Sequence, residues 1–545
     1  MVKLSDNYGS AVQNFATSNI MIPNYDQNIT TKNAIDNPVW VHFGGGNLFR
    51  CFHAKVAQDL LNQGELKSGV IVAETYDDGV IDQIYRPYKN RFLSVVMKPD
   101  GSLEKELIAS VADALYFNKT NTKAWDKLTE VFTNPSLQLA TFSITEKGYS
   151  LTDINGNLTK QAQADIGNGP EAPVTNMGAV AHLLYARFKA GKFPIAMVST
   201  DNFSQNGQKL ETEILRVAEG WQKNGLVEDD FVTYLKDPKQ VSFPWSMIDR
   251  ITPNPSEDVA AKLNASGFED TQIVHTPKHT NIAPFGNTEE VHYLVIEDSF
   301  PNGRPALEKA GVILTDRDTV NDADQMKVTA CLNPLHTALA IYGSILGFDS
   351  IASEVEDSDL KALIKNLGYG EDLPVVKDPK IIDPQTFIDE LVNKRLPNKN
   401  IPDTPQRIAS DTSQKIPVRY GVTLQHYVDD PTRDPQSLEF IPLVLAGWCR
   451  YLMGVDDNGE QFEQSPDPLL DDMKKYVADI KLGTVDTDIH AHLQPILSNK
   501  TIFGNDLYEI GLGKKVESYF KLLISGSGAV RETIHQTVKN KSYKF

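Results

Sequence analysis

Three side chains between positions 327 and 336 have the types that ketone reduction needs. Lys327, Asn333 and His336 lie in an apolar-periodic stretch, 325 to 346 (QMKVTACLNPLHTALAIYGSIL), with Asp324 one turn before the lysine. Hydride transfer to a carbonyl carbon puts charge on its oxygen, so a site must offer a proton donor there and a hydrogen-bond donor for the developing alkoxide. Lysine, asparagine and histidine can supply both, and Asp324 could exchange protons with solvent. A lysine working near neutral pH needs its pKa lowered by desolvation or neighbouring cations. The same residues have a plainer reading: a solvated lysine, a helix irregularity at Asn333-Pro334, and a satisfied core histidine. Arg407 and Lys415, in QRIASDTSQKIPVR, form a second group of two cations in a polar segment. A guanidinium fork and an ammonium point charge could clamp a carboxylate or polyhydroxyl substrate, although surface cations are commonplace.

A reductase also needs a hydride source, and the stretch VHFGGGNLFR at 41 to 50 has the character of a dinucleotide site. A short apolar run breaks into Gly44, Gly45 and Gly46, and Asn47, Leu48, Phe49 and Arg50 then open an amphipathic segment. Glycine lets the backbone turn tightly off a strand and approach a pyrophosphate, whose charge is met by a helix N-terminus. The spacing is G-x-G-x-x-x-R, not the G-x-G-x-x-G fingerprint. Residues 51 to 63 have helical periodicity, and 68 to 74 (SGVIVAE) read as a buried strand ending in an acid. Glu74, or after it Asp77, is placed to bind the ribose hydroxyls of NAD and to repel the extra phosphate of NADP. The interval from Gly46 to Glu74 exceeds the usual spacing of roughly 20 residues, so an extended first helix is expected.

These groups must be positioned by two kinds of structure. The runs VWVHF, GVIVAE, LQLATFSI, FPIAMVST, QIVHT and YLVIED alternate with helical patterns from about residue 36 to 300, which predicts a mostly parallel sheet with crossover helices. Long helical patterns dominate after about residue 318, as in 325 to 346, 438 to 453 and 514 to 526. The expected architecture is therefore α/β: a Rossmann-type domain over 1–310 and a mainly α-helical substrate-binding and catalytic domain over 311–545. Residues 367 to 417, rich in Pro and Asp, are expected to form a long polar connection.

A formal net charge of -19 argues against nucleic acid or an anionic membrane as partner. No long apolar segment stands at the N-terminus or elsewhere, so a cytoplasmic protein is expected. Cys51, Cys331 and Cys449 have neither disulfide-framework nor metal-ligand spacing and read as reduced core thiols. Small-molecule partners and a monomer or small homo-oligomer complete the expectation.

Several motifs in order carry a resemblance: GGGNLFR at 44–50, ITEKGY at 144–149, STDNFSQNG at 199–207, IDRITP at 248–253, the Lys327/Asn333/His336 helix, and RIASDTSQK at 407–415. Through most of its length the chain resembles the polyol-specific long-chain dehydrogenase/reductase family, which includes mannitol 2-dehydrogenases and hexuronate reductases. The resemblance implies NAD, no catalytic metal, and a site in the cleft between a Rossmann-type domain and a helical domain. It implies Lys327 as general acid/base, Asn202 and Asn333 as oxyanion donors, Asp249 in the substrate pocket, and His336, Arg407 and Lys415 as substrate-binding groups. The proton relay through Asp324 is inferred separately.

Two departures refine it. The family usually spaces lysine and asparagine five apart, whereas here they are six apart; in a regular helix the extra residue rotates Lys327 by about 100° relative to Asn333. A π-bulge between them would restore the register. Phe49 and Phe52 stand where mannitol dehydrogenases tend to have histidines. GNLFRCF resembles tagaturonate reductases, while IEDSFPNGRPALEKAGV resembles fructuronate reductases and mannitol dehydrogenases. The implied reaction is interconversion of D-fructuronate and D-mannonate, with tagaturonate reduction and mannitol oxidation as alternatives. A catalytically inactive nucleotide or sugar-acid sensor is the non-enzymatic alternative.

Overall fold

Six short strands carry the first half of the chain: β1 (Trp40–Phe43), β2 (Val70–Glu74), β3 (Val111–Tyr116), β4 (Leu139–Phe142), β5 (Ile195–Ser199) and β6 (Val241–Ser242). They appear in a computed structural model that describes residues 1–153, 156–171, 173–484 and 488–544. Every pairing is parallel and the order is β3-β2-β1-β4-β5-β6, the strand order of dinucleotide-binding folds. Alternate residues enter different cores. Val41 and Phe43 of β1 pack with Leu183, Leu210 and Trp221, whereas Trp40 packs with Phe52, Leu60 and Leu61. Burial on both faces explains why β1, β2, β4 and β5 are mostly apolar rather than alternating. The strand order reverses between β1 and β4, so ligands belong at the carboxyl ends of these two strands.

The first helix begins as a π turn, Phe49–His53, and continues as α1 (Ala54–Asn62). Together they account for the long interval between the glycines and Glu74. Two expected sheet members lie elsewhere. QIVHT contributes Val274–His275 to a two-stranded antiparallel ribbon. YLVIED contributes Tyr293–Glu297 to a separate sheet, antiparallel to Ser246–Asp249 and parallel to Ile313–Thr315. β3 escaped the sequence reading, as did the hairpin of Phe92–Met97 with Leu103–Ile108, because its strands follow one another without a crossover helix.

The chain divides into Met1–Asn321 and Asp322–Phe545. In the second unit all named elements among the described residues are helical. The elements used below are α2 (Asn333–Leu346), α3 (Pro405–Ala409), α4 (Thr412–Ile416) and α5 (Phe440–Tyr451). All residues of α5 are buried, and the Tyr342 hydroxyl of α2 donates to its Leu443 carbonyl at 2.6 Å. The expected polar connection at 367–417 is instead a series of short helices, including Pro384–Glu390, α3 and α4. Its polar residues are caps: Asp383 accepts from the Thr386 N–H and Thr404 from the Arg407 N–H, each before a proline that opens the helix. Proline at a first turn forfeits no hydrogen bond, so a Pro/Asp-rich stretch can be helical in short pieces.

Candidate active site

The glycine turn follows β1 directly. Gly44 has φ +103°, and a Cβ there would lie 2.3 Å from the Ser143 carbonyl oxygen, so this position tolerates glycine alone. A Cβ on Gly46 would meet nothing within 4 Å. That open space over the backbone, at the start of a helix and the topological switch point, suits a dinucleotide pyrophosphate. Gly46, Asn47 and Leu48 are half-buried, whereas Phe49 and Arg50 are wholly buried. Arg50 holds the turn from beneath, donating to the Asn47 side chain and to the Ala283 carbonyl, both at 2.6 Å.

The two candidate ribose acids are already engaged. Glu74 accepts from the Gly45 N–H at 2.7 Å and from the Tyr76 and Asp77 N–H groups at 2.8 and 3.1 Å. It therefore braces the glycine turn while keeping a negative charge at the carboxyl end of β2. Asp77 caps the next helix through the Gly79 N–H and accepts from the Thr276 hydroxyl at 2.6 Å; these hydrogen bonds outweigh burial and hold its carboxyl below the usual range.

ITEKGY and STDNFSQNG meet at the carboxyl ends of β4 and β5. The Asp201 carboxylate accepts from the Ile144 and Thr145 N–H groups, each at 2.9 Å, and from the Tyr149 hydroxyl at 2.5 Å. Thr145 has φ +62° and ψ 158°, a glycine-type conformation that costs roughly 1–3 kcal/mol. Hydrogen bonds to a charged group contribute about 1.5–3 kcal/mol each, so Asp201 can hold the strained residue. Asn206 donates to the Asp201 carbonyl at 2.9 Å and to the Ser246 hydroxyl at 2.9 Å. Ser246 opens the strand that ends at buried Asp249. Asn202 lies between these anchors and is exposed.

In the second unit a π turn spans Met326–Cys331, and the Leu332 N–H donates to the Lys327 carbonyl at 3.1 Å. Each residue of a π turn advances by less than an α-helix's roughly 100°, so six residues cover about the angle of five. The bulge has a local cause: Pro334 has no N–H to offer the preceding turn and its ring crowds it. Lys327 is 3% exposed, and its Nζ lies 3.4 Å from Asp324 Oδ1. Asn333, His336 and Thr337 share one face of α2.

His336 Nε2 lies 3.4 Å from Asp403 Oδ2. Burial pushes the imidazole down to about 4, assisted by Arg419, Arg407 and Arg395 and opposed by Asp403, so it is neutral at neutral pH. Arg407 donates Nε to Asp403 Oδ1 at 2.8 Å. Lys415 donates Nζ to the Ile408 carbonyl at 3.0 Å. Burial first, then Arg419 and Arg407, bring this lysine down to about 8, against Asp411 and Asp467. Among the described residues no group of three or more His, Cys, Asp or Glu could hold a metal ion, and the three cysteines are buried free thiols. No helix among them is long and apolar enough to cross a membrane.

Comparison with known proteins accounts for both units. Residues 39–309 match the mannitol dehydrogenase Rossmann domain and residues 320–521 the mannitol dehydrogenase C-terminal domain. The D-mannonate oxidoreductase of Thermotoga maritima is 53% identical over 518 residues, 95% of each chain. The chain belongs to the mannitol dehydrogenase family. Two solved structures share its fold: a substrate-free D-sorbitol dehydrogenase (TM-score 0.78, 26% identity, 95% of this chain and 97% of that one) and the Pseudomonas fluorescens mannitol 2-dehydrogenase with NAD and D-mannitol (TM-score 0.71, 26% identity, 99% and 100%).

As an oxidoreductase of the mannitol dehydrogenase family, the chain contains positioning groups that the sequence reading passed over. Asp201 stands beside Asn202 in the same motif and was read past because a buried carboxylate that binds backbone N–H groups leaves no sequence pattern. Asp403 and Arg419 did leave one. Each lies four residues from a cation singled out above, Arg407 and Lys415, a helical spacing that the Pro/Asp-rich composition of the segment conceals.

Proposed function

We propose that the chain is an NAD-dependent hexuronate reductase that interconverts D-fructuronate and D-mannonate, with Lys327 as general acid in reduction and general base in oxidation. The observation that carries this reading is the 53% identity to a D-mannonate oxidoreductase over 95% of both chains. The cations about α2 support an acidic substrate. Gly44, Gly45, Gly46, Asn47 and Leu48 would hold the dinucleotide phosphates, with Phe49 and Arg50 packed beneath. Glu74, with Asp77 near it, keeps negative charge where an NADP phosphate would sit. Bound NADH supplies the hydride that reduces the keto carbon.

The chain's own residues do the rest. Lys327 gives a proton to the carbonyl oxygen, and Asp324, 3.4 Å from its Nζ, relays the replacement. Asn202 and Asn333 donate hydrogen bonds to the developing alkoxide, where donors oriented beforehand are most effective. Neutral His336, oriented by Asp403, and Asp249 fix substrate hydroxyls; Lys415 faces the acid group, with Arg407 anchored on Asp403 beside it. A cytoplasmic location fits this reading, since NADH is available there and the cysteines are free thiols.

A neutral polyol is the second reading, favoured by the fold shared with D-sorbitol dehydrogenase and mannitol 2-dehydrogenase. NADH oxidation with D-fructuronate, D-tagaturonate and D-fructose in parallel separates the possibilities. Turnover of fructuronate alone is expected. Preference for fructose would replace the proposal with a polyol dehydrogenase, and silence with all three despite NADH binding would leave a sensor.

A further inference from the structure

The cations near α2 are not equivalent. Arg407, which the motif singles out, has a side chain 65% exposed and pairs with Asp403, its Nη2 standing 2.6 Å from Oδ1. Its guanidinium is thus engaged in holding the carboxylate that faces His336. Arg419, four residues beyond Lys415 on the helical run 412–421, is placed differently. Arg419 is half-buried, and its Nη1 donates to the Thr337 hydroxyl at 2.5 Å. Thr337 follows His336 on the same face of α2 as Asn333, so Arg419 reaches the helix surface that carries the proposed substrate groups.

We propose that Arg419, acting with Lys415, takes the substrate's carboxylate and thereby selects sugar acids over neutral sugars, an inference that rests on the hexuronate reading above. One donor of the Arg419 fork is used on Thr337, and among the described residues neither Arg419 nor Lys415 forms an ion pair with a carboxylate. Burial lowers Arg419 to about 10, and its charge helps to lower Lys415. Neighbouring cations that form no ion pair repel one another until an anion arrives, and Asp411 and Asp467 offset this only in part at Lys415. A guanidinium fork binds a planar carboxylate in two-point geometry, whereas a neutral hydroxymethyl end offers it no charge. Arg407 then acts as a positioning residue for Asp403 and His336.

The test compares wild type with Arg419→Gln by calorimetric titration of D-mannonate and its neutral amide, D-mannonamide, with NADH present so that no turnover occurs. Kinetics with D-fructuronate run alongside. Wild type is expected to bind the acid at least about 30-fold more tightly than the amide, and Arg419→Gln to bring the two within about threefold, as for a lost buried charge pair. The KM for fructuronate should rise about 30-fold or more while kcat falls less than about tenfold, the signature of lost ground-state binding. Arg419→Lys, which keeps the charge without the fork, should lie between them. A folded Arg419→Gln that retains the preference for the acid overturns the inference and leaves the hexuronate reading standing. Wild type without that preference overturns both. If the glutamine variant does not fold, Arg419→Lys decides, and an acid preference equal to wild type overturns the inference.

Discussion

The two units prepare for ligand in opposite ways. Around β1, β4 and β5 the work falls on backbone geometry: Gly44 at φ +103°, Thr145 at φ +62°, and the carboxylates of Glu74 and Asp201 held by backbone N–H groups. Around α2 it falls on charged side chains, where Lys327 is buried beside Asp324 and, among the described residues, Lys415 and Arg419 form no ion pair with a carboxylate. A dinucleotide presents the same phosphates in every cycle and can be met by fixed amides. A carbonyl that gains and loses a proton needs groups whose charge can change. Substitutions at the glycine turn should therefore act on dinucleotide affinity or fold, and those around α2, or at Asp201 beside Asn202, on turnover, substrate affinity or pH dependence.

The largest effect that would sharpen this contrast is expected at the glycine turn. Gly44→Ala places a Cβ 2.3 Å from the Ser143 carbonyl oxygen at a backbone angle L residues avoid, and should cost about 2–4 kcal/mol in stability. Thermal melting and NADH fluorescence titration would record a lowered Tm and affinity weakened at least about 100-fold. Gly46→Ala, facing open space, should leave Tm within a few degrees and still weaken NADH. Equal behaviour of the two would break the distinction between a strained turn and a ligand-facing one.

Next comes Asp201→Asn, which removes the charge from the acceptor of Ile144, Thr145 and Tyr149. Release of Thr145 and of neighbouring Asn202 should lower kcat about 10- to 100-fold, with NADH affinity changed less. Unchanged kcat in stopped-flow single turnovers would show that Asp201 serves stability alone.

A smaller effect separates the units by pH. Lys415 titrates near 8, lowered by burial, Arg419 and Arg407 against Asp411 and Asp467. Its charge is present below that pH and lost above it. The KM for a uronate should accordingly climb toward tenfold per pH unit above about 8, while the dissociation constant of NADH, held by backbone amides, stays flat. A KM that is level between pH 7 and 9.5 would place the carboxylate away from Lys415. Smallest of all is Arg407→Ala: an exposed guanidinium that orients Asp403 should cost a few-fold in kcat/KM.

How much of this was legible in the sequence follows the same division. The runs that form β1, β2, β4 and β5 are mostly apolar and short, the pattern of strands buried on both faces. VADALY goes unread and QIVHT and YLVIED are assigned to the wrong sheet, because a short run does not reveal which sheet it joins; that is settled by distant pairing, as for Val274–His275 with Asn281–Ile282. The helix bearing Lys327, Asn333 and His336 was visible from its period, and its extra residue raised the question the π turn answers. Asp201 is not visible as a site group, while Asp403 and Arg419 show only as residues four away from Arg407 and Lys415 in a segment whose helices the Pro/Asp-rich composition conceals. Their importance lies in what they touch, and a carboxylate on backbone N–H groups leaves no mark in residue spacing.

The most direct test of the account is Lys327→Ala, assayed for D-fructuronate reduction alongside NADH binding. The buried lysine beside Asp324 is predicted to contribute about 10³-fold or more to kcat, within the range of general acid catalysis, while NADH affinity and Tm stay close to wild type. Retention of kcat within about tenfold in the folded variant would remove Lys327 from the chemistry and contradict the division of labour between the two units.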